Sequence, residues 1–214
     1  MHTNKLQVLC VDAALAIGSG ALWAQDNAVK TGVIYYTTHS KADGIQGVGV
    51  PPGADAETGN AVTLLLTYER MFTPNIGVEF VVGIPPKITA SATGSVAFLG
   101  DDVLSARNVS PTLLFNYHFG EPGGTWRPYV GIGINYTRFV SIESTLASNV
   151  EMSDSWGPAA QIGIDDALSK DWSLFASVAA LKVKSDLVAT GAAVLTTTID
   201  LRPITYSFGV AYKF

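Results

Sequence analysis

The chain ends Tyr206-Ser-Phe-Gly-Val-Ala-Tyr-Lys-Phe214, and this stretch decides the fold. Tyr206, Phe208, Val210, Tyr212 and Phe214 take every second position, with Ser207, Gly209, Ala211 and Lys213 between them. A β-strand sends alternate side chains to opposite faces. One face of this strand is therefore apolar and mostly aromatic, and the other is small or polar. An aromatic strand running to Phe214 with no polar tail suits an apolar face against lipid. It also suits a strand that closes a barrel, the only kind of sheet that satisfies all its backbone groups in a bilayer.

The same alternation recurs along the chain and predicts seven more strands, over 30–38, 61–71, 76–84, 109–119, 127–138, 155–166 and 172–184, with the terminal strand over 197–214. Val62, Leu64, Leu66 and Tyr68 oppose Thr63, Leu65, Thr67 and Glu69. Val78, Phe80, Val82 and Ile84 oppose Glu79, Val81 and Gly83, and Leu113, Phe115, Tyr117 and Phe119 oppose Thr112, Leu114, Asn116 and His118. Val130, Ile132, Ile134 and Tyr136 oppose Gly131, Gly133 and Asn135, while Trp156, Ile162 and Ile164 oppose Gln161, Gly163 and Asp165. The phase slips between Val178 and Leu181, which reads as a β-bulge, and Pro203 marks a second irregularity. Turns after the second, fourth and sixth strands are short; the connections over 39–60, 85–108, 139–154 and 185–196 are long. Short turns at one end and long loops at the other describe an all-β, eight-stranded antiparallel transmembrane β-barrel with both termini in the periplasm.

Composition agrees. Of the 214 residues, 48% are apolar and only 14% charged, yet no internal segment reaches the ~18 unbroken apolar residues of a spanning helix. The net charge of −5, without a basic run, argues against a nucleic-acid partner. Residues 6–24 form one apolar stretch after Lys5 and read as a secretory signal peptide over 1–24, leaving 25–214 as the barrel domain. A membrane anchor is the competing reading; Asp12 at its centre would cost about 2.5–3.5 kcal/mol. Cys10, the only cysteine, falls inside that stretch and takes disulfides out of the mature fold.

Which face is apolar separates a membrane barrel from a soluble lipocalin-like one. The smaller set is rich in Gly, Ser, Thr, Asn and Gln and poor in Lys and Glu, which suits a narrow lumen and not a solvated exterior. Trp126, Tyr129 and Trp172 near short turns and Trp156 near a long loop are expected in aromatic girdles. No catalytic group emerges: His39 and His118 are expected far apart, so neither a metal site, a cofactor nor an enzyme is expected. Asp165-Asp166 reads as a strand end, and Gly131-x-Gly133 as lumen packing.

The motifs Asn75-Ile-Gly-Val-Glu79, Arg127-Pro-Tyr-Val-Gly131, Gly133-Ile-Asn-Tyr-Thr137, Asp154-Ser-Trp-Gly157, Gln161-Ile-Gly-Ile-Asp165 and Tyr212-Lys-Phe214 follow in order at compatible spacing. Together they resemble the OmpW family of outer-membrane proteins, with its AlkL-like relatives. The resemblance implies a Gram-negative outer-membrane location and passive uptake of small hydrophobic molecules. On that reading Leu65, Val81, Leu114 and Phe175, alternating with Thr67, Asn116 and Gln161, line a porin-like channel. The bland alternative is that they simply fill a small barrel. Glu79, Asp165 and Arg70 are expected to pair in the lumen. Tyr206, Phe208, Tyr212 and Phe214 are expected to form the C-terminal signal for the barrel-assembly machinery. Other expected partners are outer-membrane lipid and lipopolysaccharide and a small hydrophobic ligand or detergent, with the chain a monomer. The rival function is a structural or adhesion barrel that binds surfaces through its long loops. A lipid-modifying enzyme would need a His/Ser/Asp group at the outer rim, which the sequence does not offer.

Overall fold

The fold is described from a computed structural model, which covers residues 27–38, 40–42, 46–47, 50–145, 147, 149–190 and 194–214. The signal-peptide stretch, Cys10 and His39 lie outside the described residues. In chain order the strands are β1 (Asn27–Thr37), β2 (Ser40–Ala42), β3 (Gln46–Gly47), β4 (Ala54–Thr58), β5 (Ala61–Met71), β6 (Ile76–Gly83), β7 (Lys87–Gly94) and β8 (Leu104–Val109). They continue as β9 (Thr112–His118), β10 (Trp126–Ser144), β11 (Asn149–Met152), β12 (Ser155–Ala167), β13 (Trp172–Leu181), β14 (Val183–Thr190), β15 (Val194–Leu201) and β16 (Ile204–Lys213).

Eight of these strands close into an antiparallel ring, β1-β5-β6-β9-β10-β12-β13-β16, and β16 pairs back onto β1 from Ala28↔Lys213 to Thr37↔Ile204. The backbone amides of Asn27 and Phe214 each donate to the other's carbonyl, so the two ends of the barrel domain meet at the seam. Tight turns after β5, β9 and β12 lie at this same end. The wall is inverted relative to a soluble protein. Val62, Leu64, Leu66, Phe115, Ile132, Ile162, Tyr206 and Phe208 are exposed outward, while Lys30, Thr67, Glu69, Asn116, His118 and Asn135 are buried inside. That pattern fits lipid outside and polar packing within.

The long connections are folded, not irregular as expected from sequence. β4, β7 and β8 form a sheet that joins the upper half of β10, and β11, β14, β15, β2 and β3 form a second sheet. The two meet where β2 packs by β4 and β10 by β11, extending the barrel outward as a crown. The expected bulge in the seventh strand is a break at Lys182, where β13 ends and β14 turns into the crown. The terminal strand likewise divides at Arg202-Pro203. The two interruptions are at one level, with the Leu181 N–H donating to the Pro203 carbonyl at 3.0 Å and the Lys182 N–H to Pro158 at 3.2 Å.

Trp126 (71% exposed), Trp172 and Trp156 stand on the outer wall, as do Tyr206, Phe208, Tyr212 and Phe214. Trp172 packs on Tyr212 and Trp156 on Tyr136, with centroids 5.0 and 4.7 Å apart. Tyr129 is a correction. It is 2% exposed and points inward, sharing the parity of Arg127 and Gly131 on β10. Its register partner Gly163 leaves the ring room, since a Cβ there would strike it.

Gly32 and Gly209 face each other across the seam, and a Cβ on either would run into the backbone of the opposite strand. Gly32→Val and Gly209→Val should each destabilise the closed barrel by about 1–3 kcal/mol. The measurement is urea unfolding in lipid vesicles, followed by the heat-dependent gel shift of the folded form; a midpoint equal to that of the parent chain would contradict the tight seam.

Candidate functional site

The lumen has two storeys. Towards the tight-turn end, parity turns long polar side chains into the bore: Lys30 on β1, Glu69 on β5, Glu79 on β6, Asn116 and His118 on β9, Tyr129 on β10, and Gln161 and Asp165 on β12. Lys30 Nζ, 1% exposed, lies 2.9 Å from Glu69, 3.5 Å from Asp165 and 3.8 Å from Glu79. It also sits over the Tyr129 ring, 4.8 Å from its centroid. Asn116 Nδ2 donates to Glu69 at 2.9 Å and to Glu79 at 2.7 Å, and Gln161 Nε2 donates to Glu79 at 2.6 Å and to Asn116 Oδ1 at 2.8 Å. His118 Nε2 is 2.8 Å from Glu69 Oε1. These bonds tie five strands together across the bore, and the layer is a plug.

Two sequence expectations change here. Arg70 is not a lumen cation: Glu69 points in, so its neighbour points out, over the Phe72 ring. The cation is Lys30. Asp165 does pair in the lumen, with Lys30 as its partner in place of Arg70. Asp165, His118 and Glu69 also place one ligand atom each within 4.8 Å of one another. The absence of a bound metal in sequence reasoning rested on His39, whereas β9 and β12 bring His118 to carboxylates. The ammonium of Lys30 already pairs with both carboxylates of that group.

Above the plug the lumen turns apolar. Ile34, Leu65, Phe175 and Ala211 form a buried cluster, with Tyr36 and Val81 packed against it and Leu114 buried nearby. All the residues expected to line the bore, Leu65, Thr67, Val81, Leu114, Asn116, Gln161 and Phe175, thus face inward, with Thr67, Asn116 and Gln161 buried among them. A slender cavity of about 50 Å³ runs through this storey, bounded by Ile34, Tyr36, Val81, Leu114, Leu181 and Thr205 among others. Higher still, Asn135 donates to Thr112 (2.8 Å) and Ser110 (2.9 Å), and accepts from Thr137 (2.7 Å).

The same cavity reaches the wall at Val82, Pro85, Pro86, Asn108 and Ser110. There the ladder is interrupted. β6 pairs with β9 only as far as Val81↔Thr112, and pairing resumes between β7 and β8 at Lys87↔Arg107. Across the gap one backbone bond remains, from the Asn108 N–H to the Pro86 carbonyl at 3.3 Å. Pro85, Pro86 and Pro111 have no N–H to give a ladder. A gap in the wall ladder thus adjoins a small, partly apolar cavity above the buried ionic layer.

Lys30→Met leaves three buried carboxylates without their cation and should cost about 3–5 kcal/mol of stability. It should also raise ion conductance across planar bilayers, and Glu69→Gln in the same chain should recover part of the stability. A variant as tight and as stable as the parent would show that Lys30 does not hold the plug.

Comparison with known proteins agrees with this architecture. Outer membrane protein W of Vibrio cholerae serotype O1 is 32% identical, over 97% of this chain and 99% of that protein. Outer membrane protein AlkL of Ectopseudomonas oleovorans is 28% identical over the full length of both. The crystal structure of the outer membrane protein OprG from Pseudomonas aeruginosa superposes with a TM-score of 0.80 at 26% identity, covering 89% of this chain and 96% of that one. The OmpW family model matches residues 24–214. The inverted wall, the eight-stranded ring and these matches place the chain in the bacterial outer membrane, and it belongs to the OmpW family.

Proposed function

We propose that the barrel passively takes up small hydrophobic molecules, admitting them from the crown into the apolar upper lumen and releasing them sideways into the membrane through the Pro85–Pro86 portal. The observation that carries this reading is the coincidence of the slot with the gap in the β6–β9 ladder. A water-filled pore would need a continuous polar bore. Here Lys30, Glu69, Glu79 and Asp165 lock the lower storey, and a solute that stayed in the lumen would meet a buried ionic layer.

Physical chemistry favours an apolar permeant. The slot presents Ile34, Val81, Leu114 and Leu181, and its polar lining groups Ser110, Thr112 and Gln161 are already bonded to Asn135, Glu79 and Asn116, so a hydrated solute would shed its water there without enough partners to replace it. An unbranched or small planar hydrocarbon loses nothing in that exchange and gains at the far side, where the portal meets lipid. The drive is simple partition: burial of apolar surface in the membrane at about 25 cal/mol per Å². No energy source is required.

The test is uptake of a labelled medium-chain alkane by cells with and without the protein, with outer-membrane levels matched. Uptake should rise several-fold with the parent chain. Leu65→Asn and Leu114→Asn should lower it towards background, and Pro85→Val with Pro86→Val, which restores donors to the ladder, should lower it as well. Uptake unchanged by the protein and by every variant would overturn the channel. Uptake lost in the leucine variants but retained in the proline variant would overturn the side exit alone.

A further inference from the structure

The outer wall carries a groove that the channel does not use. On the lipid-facing side of β9, β10, β12 and β13 an open concavity of about 600 Å³ is bounded by Phe115, Ile132, Pro158, Ala160, Ala180 and Lys182. Its origin is visible in the register. One outward row across the wall reads Phe115, Ile132, Ala160, Ala180, because Phe115 pairs with Ile132, Ile132 with Ala160, and Ala160 with Ala180. Two adjacent alanines make a dip between bulkier neighbours. The row beneath, Val130, Ile162 and Val178, is large again and forms the floor. Pro158, the next outward residue of β12 towards the crown, bounds the dip above Ala160. The dip runs from the middle of the wall up to Lys182, at the break where β13 becomes β14.

The upper end of the groove is basic. Lys184 pairs in the ladder with Asp200, and Arg202 Nη2 donates to Asp200 Oδ2 at 3.0 Å. That bond, helped by the ammonium groups of Lys182 and Lys184, holds the Asp200 carboxyl below the usual carboxylate range. Three cations therefore share one carboxylate. The next acid along β14, Asp186, accepts from Thr198, and Asp154 lies with Tyr136 and Arg138 on the far side of β12. Lys182, Lys184 and Arg202 are all exposed.

We infer that this face binds a phosphorylated glycolipid of the outer leaflet, with one acyl chain along the alanine dip and a phosphate against Lys182, Lys184 and Arg202. The groove lies on the crown side of the wall, so its open end meets the outer leaflet and not the periplasmic one. An apolar furrow leading up to surplus positive charge complements a lipid whose chain continues into a dianionic headgroup. A lysine that only snorkelled would be indifferent to that phosphate and to the shape of the dip.

The experiment uses the purified full barrel in a neutral detergent, titrated with bis-phosphorylated lipid A, with the same lipid after dephosphorylation, and with zwitterionic phosphatidylethanolamine, and read by native mass spectrometry. Phosphorylated lipid A should bind about tenfold more tightly than either comparison lipid. Lys182→Glu with Lys184→Glu and Arg202→Glu should abolish that preference, and Lys182→Arg with Lys184→Arg should keep it. Ala160→Phe with Ala180→Phe should weaken lipid A while the heat-dependent gel shift shows each variant folded. Equal affinity for all three lipids, or a preference untouched by the charge reversals, would overturn the proposal. Full binding by the alanine variant would overturn the placement of the chain in the dip.

Discussion

In hydrocarbon no water is present to satisfy a free amide or carbonyl, and each one left unpaired costs several kcal/mol. Closure of the ring through β1 and β16 answers that constraint, and most other features of this barrel follow from it. Because the backbone bonds circulate within the wall, side chains are free to sort by solvent alone: large and aromatic outward, short or polar inward. Aromatic pairs stand on the outer wall at both ends, Tyr136 with Trp156 and Trp172 with Tyr212. The gap between β6 and β9 is notable against this background. It relaxes the rule where prolines remove donors that would otherwise be orphaned and the remaining backbone lies against a cavity.

The two storeys divide labour by dielectric. The plug confines Lys30, Glu69, Glu79, His118 and Asp165 to one level, where each charge has neighbours of opposite sign or amide donors. Such a layer is costly to form and equally costly to open, since removing one member strands the rest. The apolar storey above needs no such matching. Its side chains pack by shape, and small shifts of Leu114 or Tyr36 change the bore without breaking polar bonds. The lower half is thus held by matched charges and the upper half by the fit of apolar side chains.

Much of this was legible in a period of two. The eight wall strands, the inward set from Leu65 to Phe175 and the outward terminal aromatics follow from alternation, which survives because each face meets a different solvent. Where the sequence misled, residue type had been allowed to override parity. Tyr129 was grouped with Trp126 as an interfacial aromatic, although its position beside Gly131 turns it inward. Arg70 was given to the lumen for its charge, although Glu69 had already taken the inward slot. Lys30 opens a strand, Lys30-Thr-Gly-Val-Ile-Tyr-Tyr36, whose two alternating sets are too alike for the period to tell inward from outward. The crown was hidden for another reason: 54–58, 87–94 and 183–190 are rich in Ala, Ser and Thr and face water on one side, so they lack the apolar contrast that marks a wall strand. The partners that line up at the plug come from five different strands, and no local pattern announces a meeting across the bore.

The position of Lys30 has a consequence for assembly. It is carried by the strand that forms one side of the seam, whereas Glu69, Glu79 and Asp165 belong to β5, β6 and β12. A sheet that has not yet recruited β1 holds three carboxylates at one level without the ammonium that lies within 4 Å of all of them. Zipping the seam therefore does two things at once, completing the last backbone ladder and delivering the counter-charge. The half-made barrel is penalised twice over, and the intermediate between open sheet and closed ring is correspondingly scarce.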